Sequence, residues 1–135
     1  MGLFAKKKAQ ENGPLRIFIV EDSKTYALQL QHRIVSKFGH AADVSIFPVS
    51  ETVDIKLENK LFPDVIILDN FLNTRYDDAE SGTASIDRLF QLSPDSRIIL
   101  HSAGEAPEAL PENVKFIPKS ESGIQEILDL LQQLA

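Results

Sequence analysis

A chain of 135 residues with 43% hydrophobic and 25% charged side chains has the size and composition of one globular domain around a single core. Its formal net charge of −6 argues against a broad nucleic-acid surface, which needs clustered Lys and Arg. The lack of cysteine excludes disulfides and thiolate metal sites and fits the reducing cytoplasm, and no apolar run approaches the roughly 20 residues that span a bilayer.

The opening residues, MGLFAKKKAQENGP, set Lys6, Lys7 and Lys8 against Glu11 with no apolar segment or cleavage pattern behind them. They match neither a secretory signal nor a myristoylation site, because Lys6 stands where Ser or Thr is wanted. They are expected to form a flexible basic tail, 1–14, ahead of one domain, 15–135.

The first strand is expected at LRIFIV (15–20), an almost unbroken apolar run that ends in two carboxylates, Glu21 and Asp22. Either Asp22 or Ser23 suits a helix N-cap; Ala27, Leu30, Ile34 and Phe38 then recur at helical spacing, and Gly39 is a stop. DVSIFPV (43–49) reads as a second strand, where Pro48 predicts an edge position or an early end. Ser50 can cap a second helix with Val53 and Leu57 inward, closed by Pro63. DVIILD (64–69) is the third strand, and GTASIDRLFQL (82–92) places Ile86, Leu89 and Phe90 on one helical stripe before Pro94. RIILHS (97–102) is the fourth strand. AGEAPEALPEN then holds Pro107 and Pro111, which leave room for about one helical turn. VKFIP (114–118) is the fifth strand. The last helix begins near SESGIQ, with Ser122 and Gln125 as a capping box and Ile124, Ile127, Leu128, Leu131 and Leu134 on its apolar face. Strands alternating with helices imply an α/β sandwich with a five-stranded parallel sheet and right-handed crossovers.

Ligands of open parallel sheets bind outside the carboxyl ends of the strands. The first strand delivers Glu21 and Asp22 there, the third Asp69, the fourth Ser102 and the fifth Lys119. Three converging carboxylates repel one another unless a cation is present, and Mg²⁺ is a hard ion that takes a few carboxylates and keeps several waters. With one Asp69 oxygen held by the metal, the other can act as a nucleophile toward a phosphoryl group. The Lys119 ammonium and the Ser102 hydroxyl are placed to neutralise and bind the phosphoryl oxygens.

In IVEDS, DVIILDNFL, IILHSA and FIPKS the chain resembles the receiver domains of two-component response regulators, over about Leu15 to Leu134. The resemblance implies a flavodoxin-like three-layer fold with strand order 2-1-3-4-5. It implies that Asp69 accepts phosphate from a sensor histidine kinase or a histidine phosphotransfer protein, and that Glu21 and Asp22 bind Mg²⁺ with Asp69 and the backbone carbonyl of Phe71. Ser102 and Lys119 take the places of the family's hydroxyl and lysine, and Phe116 that of its switch aromatic. Output then passes by conformational change to a downstream protein, and a dimer is left open. On this reading the chain is a stand-alone switch rather than an enzyme.

The sequence departs from the family in three places. Ser120 follows the lysine where proline is usual, so the Lys119–Ser120 peptide is expected to be trans. The segment after Asp69, NFLNTRYDDAESG, is long and lacks a proline; Phe71 and this loop are candidates for shielding the aspartyl phosphate from water. The fourth helix is short. His32, His40 and His101 show no metal-ligand spacing and read as surface or strand-end residues. Two alternatives stand beside the receiver reading. One is a pseudo-receiver interaction module, which would usually have lost a site residue. The other is a Mg²⁺-dependent phosphohydrolase of the haloacid-dehalogenase type, in which Phe71 stands where a general acid belongs.

Overall fold

The computed structural model describes residues 13–48, 62–69, 86, 89–103, 110 and 113–134. Their elements are β1 (Leu15–Val20), α1 (Lys24–Phe38), a 3-10 turn (Gly39–Ala41), β2 (Ala42–Phe47), β3 (Val65–Leu68), a helical stretch described at 86 and 89–92 (α2), β4 (Arg97–Ser102), β5 (Val114–Pro118) and α3 (Glu121–Leu134). The expected second helix and the shortened fourth crossover lie outside the described residues, as does the tail through residue 12.

The five strands form one parallel sheet in the order β2-β1-β3-β4-β5, as the resemblance implied. The three central strands are buried on both faces, which is why they read as continuous apolar runs. Their side chains alternate between two cores. Leu15, Ile17, Ile19, Val65, Ile67 and Ile99 meet Leu30 and Ile34 of α1 and Ile127 and Leu131 of α3. Phe18, Val20, Ile66, Leu68, Ile98 and Leu100 meet Ile86 and Leu89 of α2. Helical residues therefore cover both faces and make three layers. β2 is an edge strand that ends at Phe47, one residue before Pro48 and two before the expected end, because proline has no N–H for the ladder.

Both ends of α1 follow from local chemistry. The Ser23 side chain caps it by accepting from the Tyr26 N–H, and Gly39 ends it at φ 55°, a backbone that L side chains rarely adopt. The start of α3 corrects the expected capping box. Ser120, not Ser122, is the cap: its Oγ accepts from the Gly123 N–H at 3.0 Å and its carbonyl from the Ile124 N–H at 2.9 Å. Gln125 donates instead to Asp129, one turn on along the exposed face. The earlier start is possible because position 123 is glycine. A Cβ there would lie 1.9 Å from the Pro118 carbonyl oxygen, so only glycine lets the first turn close this tightly on the end of β5. No peptide bond among the described residues is cis, and the Lys119–Ser120 bond is trans as expected.

Candidate functional site

The parallel ladder runs one residue past the strand ends, and those residues are the polar ones. The Glu21 N–H donates to Phe47, the Asp69 N–H to Val20 and the Lys119 N–H to Ser102, each to a backbone carbonyl at 2.9–3.0 Å. Continued pairing thus fixes Glu21, Asp69 and Lys119 at one edge of the sheet, with Ser102 buried at the end of β4.

Glu21 and Asp69 are also buried, at 4% and 5% exposure, and Asp22 is half-buried beside them. One carboxylate oxygen from each of the three lies within 4.8 Å of the others. Oxygens bound to one ion at roughly 2.0–2.6 Å can be separated by at most about 4–5 Å, so this donor set fits a hard divalent cation such as Mg²⁺ with little adjustment. Lys119 bridges the two buried acids: its Nζ is 2.6 Å from Glu21 Oε1 and 3.5 Å from Asp69 Oδ1. The other Glu21 oxygen accepts from the Ser23 N–H at 3.1 Å. Burial pushes the Glu21 carboxyl above the usual carboxylate range; the Lys119 and Ser23 hydrogen bonds oppose this, and the neighbouring Asp69 charge adds to it. Glu21 is therefore a carboxylate that gains from added positive charge.

Four expected side-chain donors, Glu21, Asp22, Asp69 and Lys119, meet in this cluster, and Ser102 sits at the same sheet edge. Phe116 lies on β5, three residues before Lys119, half-buried against the core on the α2 face. Phe71 and the segment after Asp69 lie outside the described residues.

Two residues next to the site escaped the sequence reading. The Tyr26 hydroxyl pairs with His101 Nε2 at 2.5 Å, and His101 Nδ1 lies 2.8 Å from the Ile117 carbonyl oxygen. A carbonyl can only accept, so Nδ1 carries the proton; in the neutral ring Nε2 then accepts from the tyrosine. Burial lowers the His101 pKa, which favours the neutral ring, and the bond to Ile117 partly offsets this. Burial also pushes the Tyr26 phenol up to about 12, helped by the charges of Glu21, Glu121 and Asp69, so the hydroxyl remains a donor. The Lys119 ammonium lies 4.7 Å from the centre of the Tyr26 ring. The available signal was a histidine in an otherwise apolar strand, beside the polar strand end, with an aromatic in the first turn of the preceding site helix. His101 is a strand residue as expected, but buried; His32 and His40 are exposed.

No protein-family model matches the sequence, and no curated protein is significantly similar to it. Solved structures do match. The N-terminal domain of a response regulator/sensory box/GGDEF three-domain protein from Carboxydothermus hydrogenoformans is 22% identical, with a TM-score of 0.67 over 87% of this chain and 90% of that one. A response regulator receiver domain protein from Bacillus halodurans is 19% identical, with a TM-score of 0.65 over 86% and 95%. The BeF3-activated receiver domain of DrrB from Thermotoga maritima is 17% identical, with a TM-score of 0.64 over 89% and 96%. With its sheet order and both faces covered, this chain has the flavodoxin-like fold of the response-regulator receiver domains.

Proposed function

We propose that the protein is a phosphorylatable receiver that takes a phosphoryl group onto Asp69 from a histidine kinase or a histidine phosphotransfer protein. The observation that carries this reading is the meeting of Glu21, Asp22 and Asp69 oxygens within 4.8 Å, with Lys119 held between two of them. A structural ion pair needs one acid and one base. Three acids at one edge, two of them buried, are costly to fold without a ligand.

The chemistry follows from the side chains. An Asp69 carboxylate oxygen attacks the phosphorus of the donor; the new O–P bond forms as the donor's P–N or P–O bond breaks, and the leaving group departs with its electron pair. Lys119, within 3.5 Å of Asp69, neutralises the phosphoryl oxygens, and Ser102 at the end of β4 donates its hydroxyl to them. A divalent cation at the three carboxylates would supply the remaining positive charge. Glu21 and Asp22 would hold that cation with Asp69, and the Phe71 carbonyl would be the further protein ligand that the family resemblance implies. Phe116 reports the change by moving between two packings, which biases a two-state surface read by a protein partner. The protein is on this account a cytoplasmic switch rather than a turnover enzyme; among the described residues no helix is long and apolar enough to cross a membrane.

The test is intact mass after incubation with acetyl phosphate and Mg²⁺, beside a chelator sample and Asp69→Asn. The expected result is a gain of one phosphoryl group that needs both metal and Asp69. No gain, together with no beryllofluoride binding, would replace this reading with a pseudo-receiver.

A further inference from the structure

We propose that Tyr26 is a positioning residue for Lys119, its ring serving as a fixed platform for the ammonium and its hydroxyl being pinned by His101. This rests on the reading of Asp69 as the phosphoacceptor. Among the described residues, Lys119 has three partners in the site: Glu21, Asp69 and the Tyr26 ring face. Two of them are carboxylates that a divalent cation would also need, so a bound cation would compete with the lysine for Glu21. Among the described residues, the ring is the one of these partners for which such a cation would not compete. It also suits the task physically, since a cation within about 6 Å of a ring centroid is attracted without being neutralised, and so keeps its charge for an incoming phosphoryl group.

The ring can serve in this way because it is itself held. Tyr26 lies in the first turn of α1, where its backbone N–H satisfies the Ser23 cap. Its hydroxyl reaches across to β4 and meets His101, whose other nitrogen is tied to the Ile117 carbonyl of β5. The chain of contacts thus spans three elements: α1 supplies the ring, β4 fixes its hydroxyl, and β5 fixes the histidine and leads into Lys119. The histidine is 1% exposed and the Lys119 side chain 17%, so solvent competes weakly for either contact. The backbone beside Lys119 is also fixed, because Ser120, the next residue, caps α3.

The test compares Tyr26→Leu, which removes the ring face, with Tyr26→Phe, which keeps it and loses only the hydroxyl. The first readout does not depend on phosphorylation. In protein labelled with ¹³C-lysine, the Lys119 side-chain methylene protons should show an upfield ring-current shift in the wild type and a smaller one in Tyr26→Phe, whose ring is no longer pinned. The shift should be lost in Tyr26→Leu. The second readout is the rate of phosphorylation by acetyl phosphate at saturating Mg²⁺, beside the Mg²⁺ dissociation constant. Tyr26→Leu should be about 5- to 30-fold slower, the range a partly buried cation–π contact spans, with Mg²⁺ affinity changed less than about 2-fold. Tyr26→Phe, which keeps the ring face but loses its pinning by His101, should fall between the wild type and Tyr26→Leu.

A wild-type spectrum without the upfield shift would overturn the proposal whatever the variants do, including a Tyr26→Leu that fails to fold. So would a Tyr26→Leu that is phosphorylated at the wild-type rate, a Tyr26→Phe indistinguishable from either the wild type or Tyr26→Leu, or a loss of Mg²⁺ affinity matching the loss of rate. If the shift behaves as expected but the wild type takes no phosphate, the positioning stands and the receiver reading fails.

Discussion

Gly123→Ala probes the join between the site and the helix that follows it. The added Cβ would start 1.9 Å from the Pro118 carbonyl oxygen and 3.2 Å from Ser120 Oγ, whereas real contacts of this kind essentially never fall below 3.0 Å. The end of β5 and the first turn of α3 must therefore separate by about 1 Å or more. Alanine favours a helix interior by about 1 kcal/mol over glycine. Against this, overpacking costs about 1–3 kcal/mol and loss of the Ser120 cap costs about another 1 kcal/mol. A net loss of about 1–3 kcal/mol is expected. At ~3–4 °C per kcal/mol for a domain of this length, the melting temperature should fall by about 3–12 °C. Lys119 lies between Pro118 and the cap, so the same displacement strains its 2.6 Å contact with Glu21. A misplacement of about 1 Å at a reacting centre can cost on the order of 100-fold in rate, and phosphorylation from acetyl phosphate should slow at least tenfold. Gly39→Ala is the control: its φ of 55° makes alanine strained by about 1–2 kcal/mol, yet the new Cβ would meet nothing within 4 Å. It should melt lower and be phosphorylated normally. A Gly123→Ala protein as stable as the wild type would refute the close approach. A Gly39→Ala protein slowed to the same degree would show that the rate follows global stability instead of the position of Lys119.

Three further outcomes are expected. Lys119→Met should bind Mg²⁺ more tightly in calorimetric titration, because an ammonium that competes for Glu21 is gone, and should be phosphorylated at least tenfold more slowly; weaker metal binding would contradict the competition. Ser120→Ala should lower stability in urea by about 1 kcal/mol while Ser122→Ala changes it by less than about 0.5 kcal/mol, and the reverse order would restore the capping box. His101 has a folded pKa below its ordinary 6.5, so the unfolded chain binds its proton first as pH falls. Its contribution to stability is therefore full above about pH 6.5 and is lost as pH falls toward the folded pKa, by up to about 1.4 kcal/mol per pH unit. Glu21, with a raised pKa, works in the opposite sense, so the histidine term is read as the difference in pH slope between wild type and His101→Leu; equal slopes would rule it out.

The sheet was legible because its three central strands are buried on both faces, and few other arrangements accept Ile17 to Val20, Val65 to Leu68 and Ile98 to Leu100 as unbroken apolar runs. The ends of α1 were legible, the N-cap to within one residue (Asp22 or Ser23), because Ser23 and Gly39 act on their own backbone neighbourhood. Local reasoning failed at α3, where Ser120 and Ser122 both precede a helical pattern. The choice between them is made by the Pro118 carbonyl, which admits only a residue without a Cβ one turn on from Ser120. The acidic cluster was visible from strand ends and topology together, since continued pairing carries each polar residue to the same edge. Tyr26 and His101 were not, being 75 positions apart and joined only by the fold.

The most direct test of the central claim is to locate the phosphoryl group itself. Protein treated with acetyl phosphate and Mg²⁺ is reduced with borohydride, which converts an aspartyl phosphate to homoserine, and its peptides are then sequenced by mass spectrometry. Homoserine at position 69, absent without Mg²⁺, is the predicted result. Homoserine at another acid, or unmodified Asp69 in protein that has gained phosphate, would contradict the site described above.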